Sequence, residues 1–297
     1  MPKVTKYDIE QWIKTIPTGE FHYKDVLNGA VSVESLGNLR KIMHDLCHAK
    51  MPICEPVGRR DGYYRPIQEG VMPLDWQSKK TKVDSGLILP FNLREYVFIY
   101  PKTVSVISGS KSSGKTGFLY RTVVLNMNSM NTVLLTNLEG GEEQLHDRFY
   151  AITDIEIPNP APFIILPVMD NYHDYIKEQK TLYVVDYIDV PENMEFYMIG
   201  AAITKIRKKL AFLNGSVAVV GLQKPFGRDI AFGGEQTLKD STLYLAMNSG
   251  KLKIVDAKVP ANKKIHPKNM QWTFTYDDEG TTFKNIEPYI EYDDEKF

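Results

Sequence analysis

The sequence predicts an α/β fold with a mainly parallel central sheet, preceded by a small domain of short helices and one hairpin. Three observations carry that prediction. From Leu87 onward, short β-branched runs alternate with helix-period segments, as strands joined by helical crossovers should. The run Thr103 to Ser108 leads straight into Gly109, Ser110, Lys111, Ser112, Ser113, Gly114, Lys115 and Thr116, which fits the phosphate-cradling pattern G-x-x-x-x-G-K-[ST]. The first 72 residues show no such alternation, only helical spacing followed by two short extended runs.

Composition narrows the class. A chain of 297 residues has room for one large domain or two smaller ones, and 43% hydrophobic with 25% charged residues is ordinary for a globular protein. The formal net charge of −1 gives no global field for nucleic acid, so any basic surface must be local. Cys47 and Cys54 lack the His/Cys spacing of a zinc site and read as reduced, half-buried thiols. No signal-peptide core opens the chain, and no apolar run reaches the ~18 residues of a membrane span. A soluble cytoplasmic protein without a membrane partner is expected, a description that includes a virus-encoded one.

Residues 1–72 are taken first. Tyr7 to Lys14 reads as a short amphipathic helix ending before Pro17. Phe21 to Leu27 reads as a second, closed by Asn28 and Gly29. Ser32 or Ser35 then caps a third helix reaching about Lys50, with Leu36, Leu39, Ile42, Met43, Leu46 and Cys47 at helical spacing. Pro52 to Val57 and Tyr63 to Arg65 flank Gly58, Arg59, Arg60, Asp61 and Gly62 as a hairpin. Three helices and a hairpin with a basic tip resemble a winged-helix domain. That resemblance turns Asn38, Arg40, Lys41 and His44 towards a DNA groove and makes Arg59 and Arg60 the wing.

Residues 73–86 are polar and aperiodic, which reads as a linker. The second domain spans 87–270. After the phosphate loop, Lys115 to about Met130 is a proline-free helix. Thr132 to Asn137 is a strand, and a helix starts near Gly141. Phe163 to Leu166 and Leu182 to Asp186 are further strands. Glu192 to Leu213 is a long helix stopped by Asn214 and Gly215. Val217 to Leu222 is the next strand, while Leu243 to Met247 and Lys251 to Val255 read as an antiparallel addition. Residues 271–297 form a C-terminal strand and an acidic tail, disordered from about Glu287.

The chemistry follows from where polar residues end apolar strands. A strand, a glycine turn and a helix N-terminus aim backbone N–H groups and a positive dipole end at one point, where a triphosphate fits. Lys115 neutralises phosphate charge there, and the Thr116 hydroxyl binds Mg²⁺. Asp186 ends an apolar strand, where an isolated carboxylate would be costly, so it is read as the Mg²⁺ partner, with Asp189 as the competing choice. Glu139 ends the preceding strand and suits a water-positioning base. Glu142 and Glu143 are read as first-turn acids complementing a helix dipole.

These segments together resemble the RecA/DnaB superfamily of P-loop ATPases, nearest to the DnaB-type replicative helicases. Segment 134–149 is similar to the family's strand that supplies the catalytic glutamate, here Glu139. Segment 219–229 is similar to the strand whose terminal glutamine senses γ-phosphate, here Gln223, and opens a DNA-binding loop. Segment 253–260 is similar to the strand that delivers a basic finger to the neighbouring subunit's ATP. The resemblance implies a homo-oligomer, a hexameric ring or helical filament, with ATP at subunit interfaces. Lys258 occupies the first finger position, Pro260 stands where the arginine would be, and Arg228 is the alternative finger. In the glycine-rich loop 224–234, Lys224, Phe226 and Arg228 combine phosphate-pairing cations with a stacking ring, and Lys239 extends the patch. Lys205, Arg207, Lys208 and Lys209 read as a solvated helix face.

The expected function is an ATP- and Mg²⁺-dependent, DNA-binding oligomeric ATPase of DNA replication or recombination, helicase-like if the trans finger works. One alternative is a non-motor, ATP-switched DNA-coating filament, recombinase-like or a loader. Another is a winged-helix initiator or regulator whose assembly ATP controls. The acidic tail offers a docking point for a protein partner.

Overall fold

The computed structural model describes residues 5–16, 19–26, 35–58, 60–67, 76–77, 81–189, 196, 198–277 and 280–289. They fall into two compact units, 1–80 and 81–297. Among these residues no helix is long and apolar enough to cross a membrane.

In the first unit, Thr5 starts helix α1 (Lys6–Thr15) through a reciprocal cap. Its hydroxyl accepts from the Asp8 backbone N–H at 3.2 Å, while its own N–H donates to the Asp8 carboxylate at 2.9 Å. Ile9 and Ile13 point into a core shared with Leu39, Met43 and Leu46 of helix α2 (Ser35–Cys47). The second expected helix is not there. Phe21–His22 is a strand, β1, followed by a single 3-10 turn at Tyr23–Asp25, and Asn28, Gly29 and Ser32 lie outside the described residues. Non-local pairing overrides the local helical spacing: β1 joins strand β3 (Tyr63–Pro66), and Phe21 stacks on Tyr64 at 6.1 Å. Strand β2 (Cys54–Pro56) completes the predicted hairpin, giving the order β1-β3-β2. Free Cys47 and buried Cys54 bring their sulfurs to 3.3 Å, and burial pushes both thiols up.

The second unit is built on one nine-stranded sheet. Its parallel strands are β4 (Val104–Gly109), β5 (Asn131–Thr136), β6 (Ile164–Pro167), β7 (Thr181–Ile188), β8 (Val217–Gln223) and β9 (Ser241–Asn248). Strands β10 (Lys251–Ala257), β11 (Gln271–Tyr276) and β12 (Phe283–Tyr289) extend it antiparallel, in the order β12-β11-β10-β9-β4-β8-β7-β5-β6. Two sequence expectations change here. Strand β9 pairs with β10 as an antiparallel neighbour, yet its other edge runs parallel to β4, so the antiparallel addition begins one strand later. Glu287 to Tyr289, expected as disordered tail, are the end of β12, while 290–297 lie outside the described residues.

The sheet is buried on both faces, which is why its strands are apolar throughout rather than alternating. One face packs helix α3 (Lys115–Asn126) through Phe118, Leu119, Val123 and Val124, with Phe149 of helix α4 (Gly141–Tyr150) beside it. The other packs helix α5 (Met198–Leu210) through Ile199, Ile203, Ile206 and Leu210. Successive residues of β7 divide accordingly: Leu182 and Val184 face α3, Tyr183 and Val185 face α5. Residues 190–195 and 197, the expected first turns of the long helix, lie outside the described residues. Residues 81–86 pack with this unit, where the Ser85 N–H donates to the Ile99 carbonyl at 3.0 Å and Arg94 pairs with Asp84 at 2.7 Å.

Candidate functional site

Strand β4 ends at Gly109, and the chain turns through Ser110 to Ser113 before α3 begins. Gly114 makes the turn possible: its φ of 90° lies in the left-handed region that side chains other than glycine avoid. The turn aims the first N–H groups of α3, and the positive end of its dipole, into a cavity of about 500 Å³. Besides the loop, its wall comes from Glu139, Gln144, Arg148, Tyr187, Gln223 and Tyr276. The contributing strands β4, β5, β7 and β8 all present their C-terminal ends here, the position where open α/β sheets bind ligands.

Lys115 is the central charge. Its ammonium lies 3.5 Å from Asp186 Oδ1 and 4.0 Å from the centre of the Tyr187 ring. Burial pulls its pKa down, opposed by the Asp186 and Glu139 carboxylates and reinforced by Arg148. Asp186 lies behind Lys115 and Thr116 rather than on the cavity wall, and the Thr116 hydroxyl donates to it at 3.3 Å. One hydroxyl and one carboxylate, both hard oxygen donors, fit a Mg²⁺ ion that arrives with phosphates. Among the described residues no cluster of three or more His, Cys, Asp or Glu side chains could hold a metal by itself. Asp189, the alternative carboxylate, lines a separate cavity with Tyr172, His173 and Lys205.

Glu139 stands exposed on the cavity wall in the β5–α4 connection, its N–H donating to the Asn137 side chain at 3.3 Å. Glu142 and Glu143 sit in the first turn of α4. Gln223 is the β8 residue paired with Gly109, so it reaches the same cavity from the neighbouring strand.

Directly after Gln223 comes the glycine-rich loop. The Phe232 N–H closes it back onto the Gln223 carbonyl at 3.0 Å, and the Ser108 hydroxyl donates to the Asp229 carbonyl at 2.8 Å. Phe226 is 93% exposed at its tip, with Arg228 exposed beside it. Lys224 differs from its neighbours: it is 2% exposed, and its ammonium donates to the Arg228 carbonyl and the Asn248 side chain at 2.5 and 2.6 Å. Its charge is turned inward, where burial lowers its pKa. Asp229 pairs with Lys253 at 2.9 Å and leaves Arg228 to solvent.

Lys258 follows β10 at the opposite end of the sheet from the phosphate loop. Its N–H donates to Thr242 O at 2.9 Å and its ammonium to the carbonyl of exposed Lys239 at 3.3 Å. In the first unit, Arg40 donates to the Tyr23 hydroxyl at 2.9 Å, Arg60 lies 3.5 Å from Glu20, and Lys41 is exposed. Arg59 lies outside the described residues.

Sequence reasoning missed four contributors. Arg148 reads as a helix-face residue and Tyr187 as the next position of an apolar strand, yet both line the cavity. Tyr276 and Gly280 come from the C-terminal hairpin, with the Tyr276 hydroxyl donating to the Ser112 carbonyl at 3.0 Å. Gly280 packs so tightly that a Cβ on Gly117 would stand 1.6 Å from its carbonyl oxygen. No local signal announces a contact such as Tyr276 to Ser112, made across 164 positions of chain. Only the glycine at 117 hints at a close approach.

No family model matches the chain, and no curated protein matches it in sequence. Solved structures match in fold. One of them, an ATPase domain, aligns with a TM-score of 0.50 at 13% identity, over 71% of this chain and 94% of that one. A DnaB-like replicative helicase, described with its interactions with primase, aligns with a TM-score of 0.46 at 12% identity over 63% of this chain. The chain spans 58% of that helicase's length. The larger unit therefore has the fold of a DnaB/RecA-like P-loop ATPase core.

Proposed function

We propose that the chain is an oligomeric ATPase of RecA/DnaB type that couples ATP binding and hydrolysis to DNA binding. The observation that carries the reading is the convergence of Lys115, Thr116, Glu139 and Gln223 on one cavity, with Asp186 directly behind it. Lys115 and the N–H groups at the start of α3 hold the phosphates, and Thr116 and Asp186 would hold Mg²⁺. The ion supplies neutralisation of phosphate charge. Glu139 orients water, whose oxygen bonds to the γ-phosphorus while a proton passes to the carboxylate. The bond from that phosphorus to the β–γ bridging oxygen breaks, its electron pair leaving on ADP, so the products are ADP and phosphate. Gln223 contacts the terminal phosphate and passes its presence to the loop that is closed on its own carbonyl.

Exposed Phe226 and Arg228 support DNA contact by that loop, the ring stacking on a base and the guanidinium pairing a phosphate. Lys239 adds to this surface. The helices and the β1-β3-β2 sheet of the first unit support a winged-helix role, with Lys41, Arg59 and Arg60 towards duplex phosphates. The position of Lys258, far from its own phosphate loop, fits delivery to a neighbouring subunit in a ring or filament.

A non-motor filament or loader is the second reading. It is favoured by Pro260 in the position of the second finger residue and by a Lys258 ammonium that is engaged by Lys239 O. Phosphate release with and without single- and double-stranded DNA, followed by strand displacement on a forked substrate, tests both. DNA-stimulated hydrolysis with displacement supports the motor. Stimulated hydrolysis without displacement supports the filament, and absence of hydrolysis refutes both.

A further inference from the structure

We propose that Arg148 is a second phosphate-binding cation of the nucleotide cavity, supplied by the same chain and acting on the terminal phosphoryl group. The proposal rests on the ATPase reading above and adds a residue to its chemistry.

Arg148 sits in the last turns of α4 and lines the cavity together with Lys115. Its guanidinium hydrogen-bonds the hydroxyl of Tyr120, which also meets Thr136. Tyr120 is 4% exposed, and its ring stacks on that of Phe149, the next residue after Arg148, at 4.8 Å and 3° between planes. A packed aromatic pair therefore fixes both the backbone that carries Arg148 and the hydroxyl that aims it.

The charge balance is the stronger observation. Among the described residues, Arg148 has no carboxylate within ion-pair distance, whereas Arg121 on the neighbouring helix is paired with Asp154 and Arg207 with Asp240. Arg148 and Lys115 thus place two positive charges on one concave wall, close enough that each opposes the other. Such a wall is complementary to a polyphosphate. A guanidinium offers two parallel N–H groups to two phosphoryl oxygens, which suits the equatorial oxygens where charge gathers in transfer. Because Arg148 and Glu139 belong to the same β5–α4 connection and helix, the cation approaches from the side of the attacking water.

The test uses the full chain with Arg148→Gln, Arg148→Lys and Tyr120→Phe, measuring steady-state hydrolysis and the binding of ADP, a non-hydrolysable ATP analogue and ADP–aluminium fluoride. Arg148→Gln should lower kcat by about 10²-fold or more, as loss of a transition-state donor does, and weaken ADP–aluminium fluoride by a similar factor. ADP affinity should stay within about threefold, since ADP lacks the group the arginine contacts. Arg148→Lys should retain part of the rate, and it carries the test if the glutamine variant does not fold. Tyr120→Phe keeps the ring stack and should cost less than either. Wild-type kcat and wild-type aluminium fluoride affinity in Arg148→Gln would overturn the proposal while leaving the ATPase reading intact. Absence of Lys115-dependent hydrolysis in the unmodified chain would sink the ATPase reading instead. The ATP analogue then decides: affinities for it and for ADP that fall equally, or not at all, in Arg148→Gln also overturn the proposal.

Discussion

Lys115 holds its ammonium 3.5 Å from the Asp186 carboxylate, and both side chains are more than nine-tenths removed from solvent. Neither charge is tolerable there alone, because desolvation costs several kcal/mol per ion. Asp186→Asn should therefore destabilise the folded chain by about 2–4 kcal/mol, the range for breaking a buried pair by removing one partner. Urea unfolding monitored by tryptophan fluorescence measures this. A change below about 0.5 kcal/mol, the range of neutral surface substitutions, would mean the pair is open to water.

Glu139 has the exposure and position of a base rather than a structural ion. Glu139→Gln should keep nucleotide affinity within a few-fold and lower kcat by about 10²–10⁴-fold, the usual worth of a general base. Turnover at the wild-type rate would transfer the role to Glu142 or Asp189.

Gly117 has no room for a methyl group, since the Gly280 carbonyl already stands where its Cβ would be. Gly117→Ala should push the β11–β12 turn off α3 and destabilise by about 1–3 kcal/mol, the cost of overpacking. The Tyr276–Ser112 hydrogen bond should loosen with it, so proteolysis between 277 and 283 should accelerate. An unchanged digestion pattern would contradict the packing of this hairpin on the phosphate loop.

These contacts also mark the limit of what the sequence made legible. The phosphate loop, Glu139, Asp186 and Gln223 could be read because each ends a strand whose period is local, and a parallel sheet gathers strand ends automatically. Phe21 could not be assigned to a strand, because its partner Tyr64 is distant and its own neighbourhood has helical spacing. Leu243 to Met247 showed the hairpin with β10 but not the parallel edge against β4, since sheet order is non-local information. Tyr276 and Arg148 carry no motif; only the fold shows that their side chains reach the cavity.

Phe226 buries almost none of its ring, so removing it should leave stability within about 0.5 kcal/mol of wild type. Phe226→Ala should retain hydrolysis measured without DNA. Its single-strand affinity should fall by about 1–3 kcal/mol if the ring stacks on a base. Fluorescence anisotropy with a labelled oligonucleotide reads the difference, and wild-type affinity would remove the loop from the DNA surface.

Cys47 and Cys54 are both held above the ordinary thiol range, chiefly by burial. Thiolate, not thiol, is the reactive species, so at pH 8 iodoacetamide should modify the native pair at least ~10-fold more slowly than the urea-unfolded chain. The rate should still be climbing above pH 9. The sign of the linkage is the same: as pH rises past the ordinary thiol range, the unfolded chain releases protons that the folded chain keeps, and stability falls. Native and unfolded chains reacting at one rate would contradict the burial.

The central claim is that the cavity around Lys115 hydrolyses ATP, and phosphate release by the purified chain beside its Lys115→Ala variant tests it most directly. Mg²⁺-dependent turnover by the unmodified chain, lost to background in the variant, is the predicted result. Equal phosphate release from the two proteins, or none from either with DNA present, would contradict it.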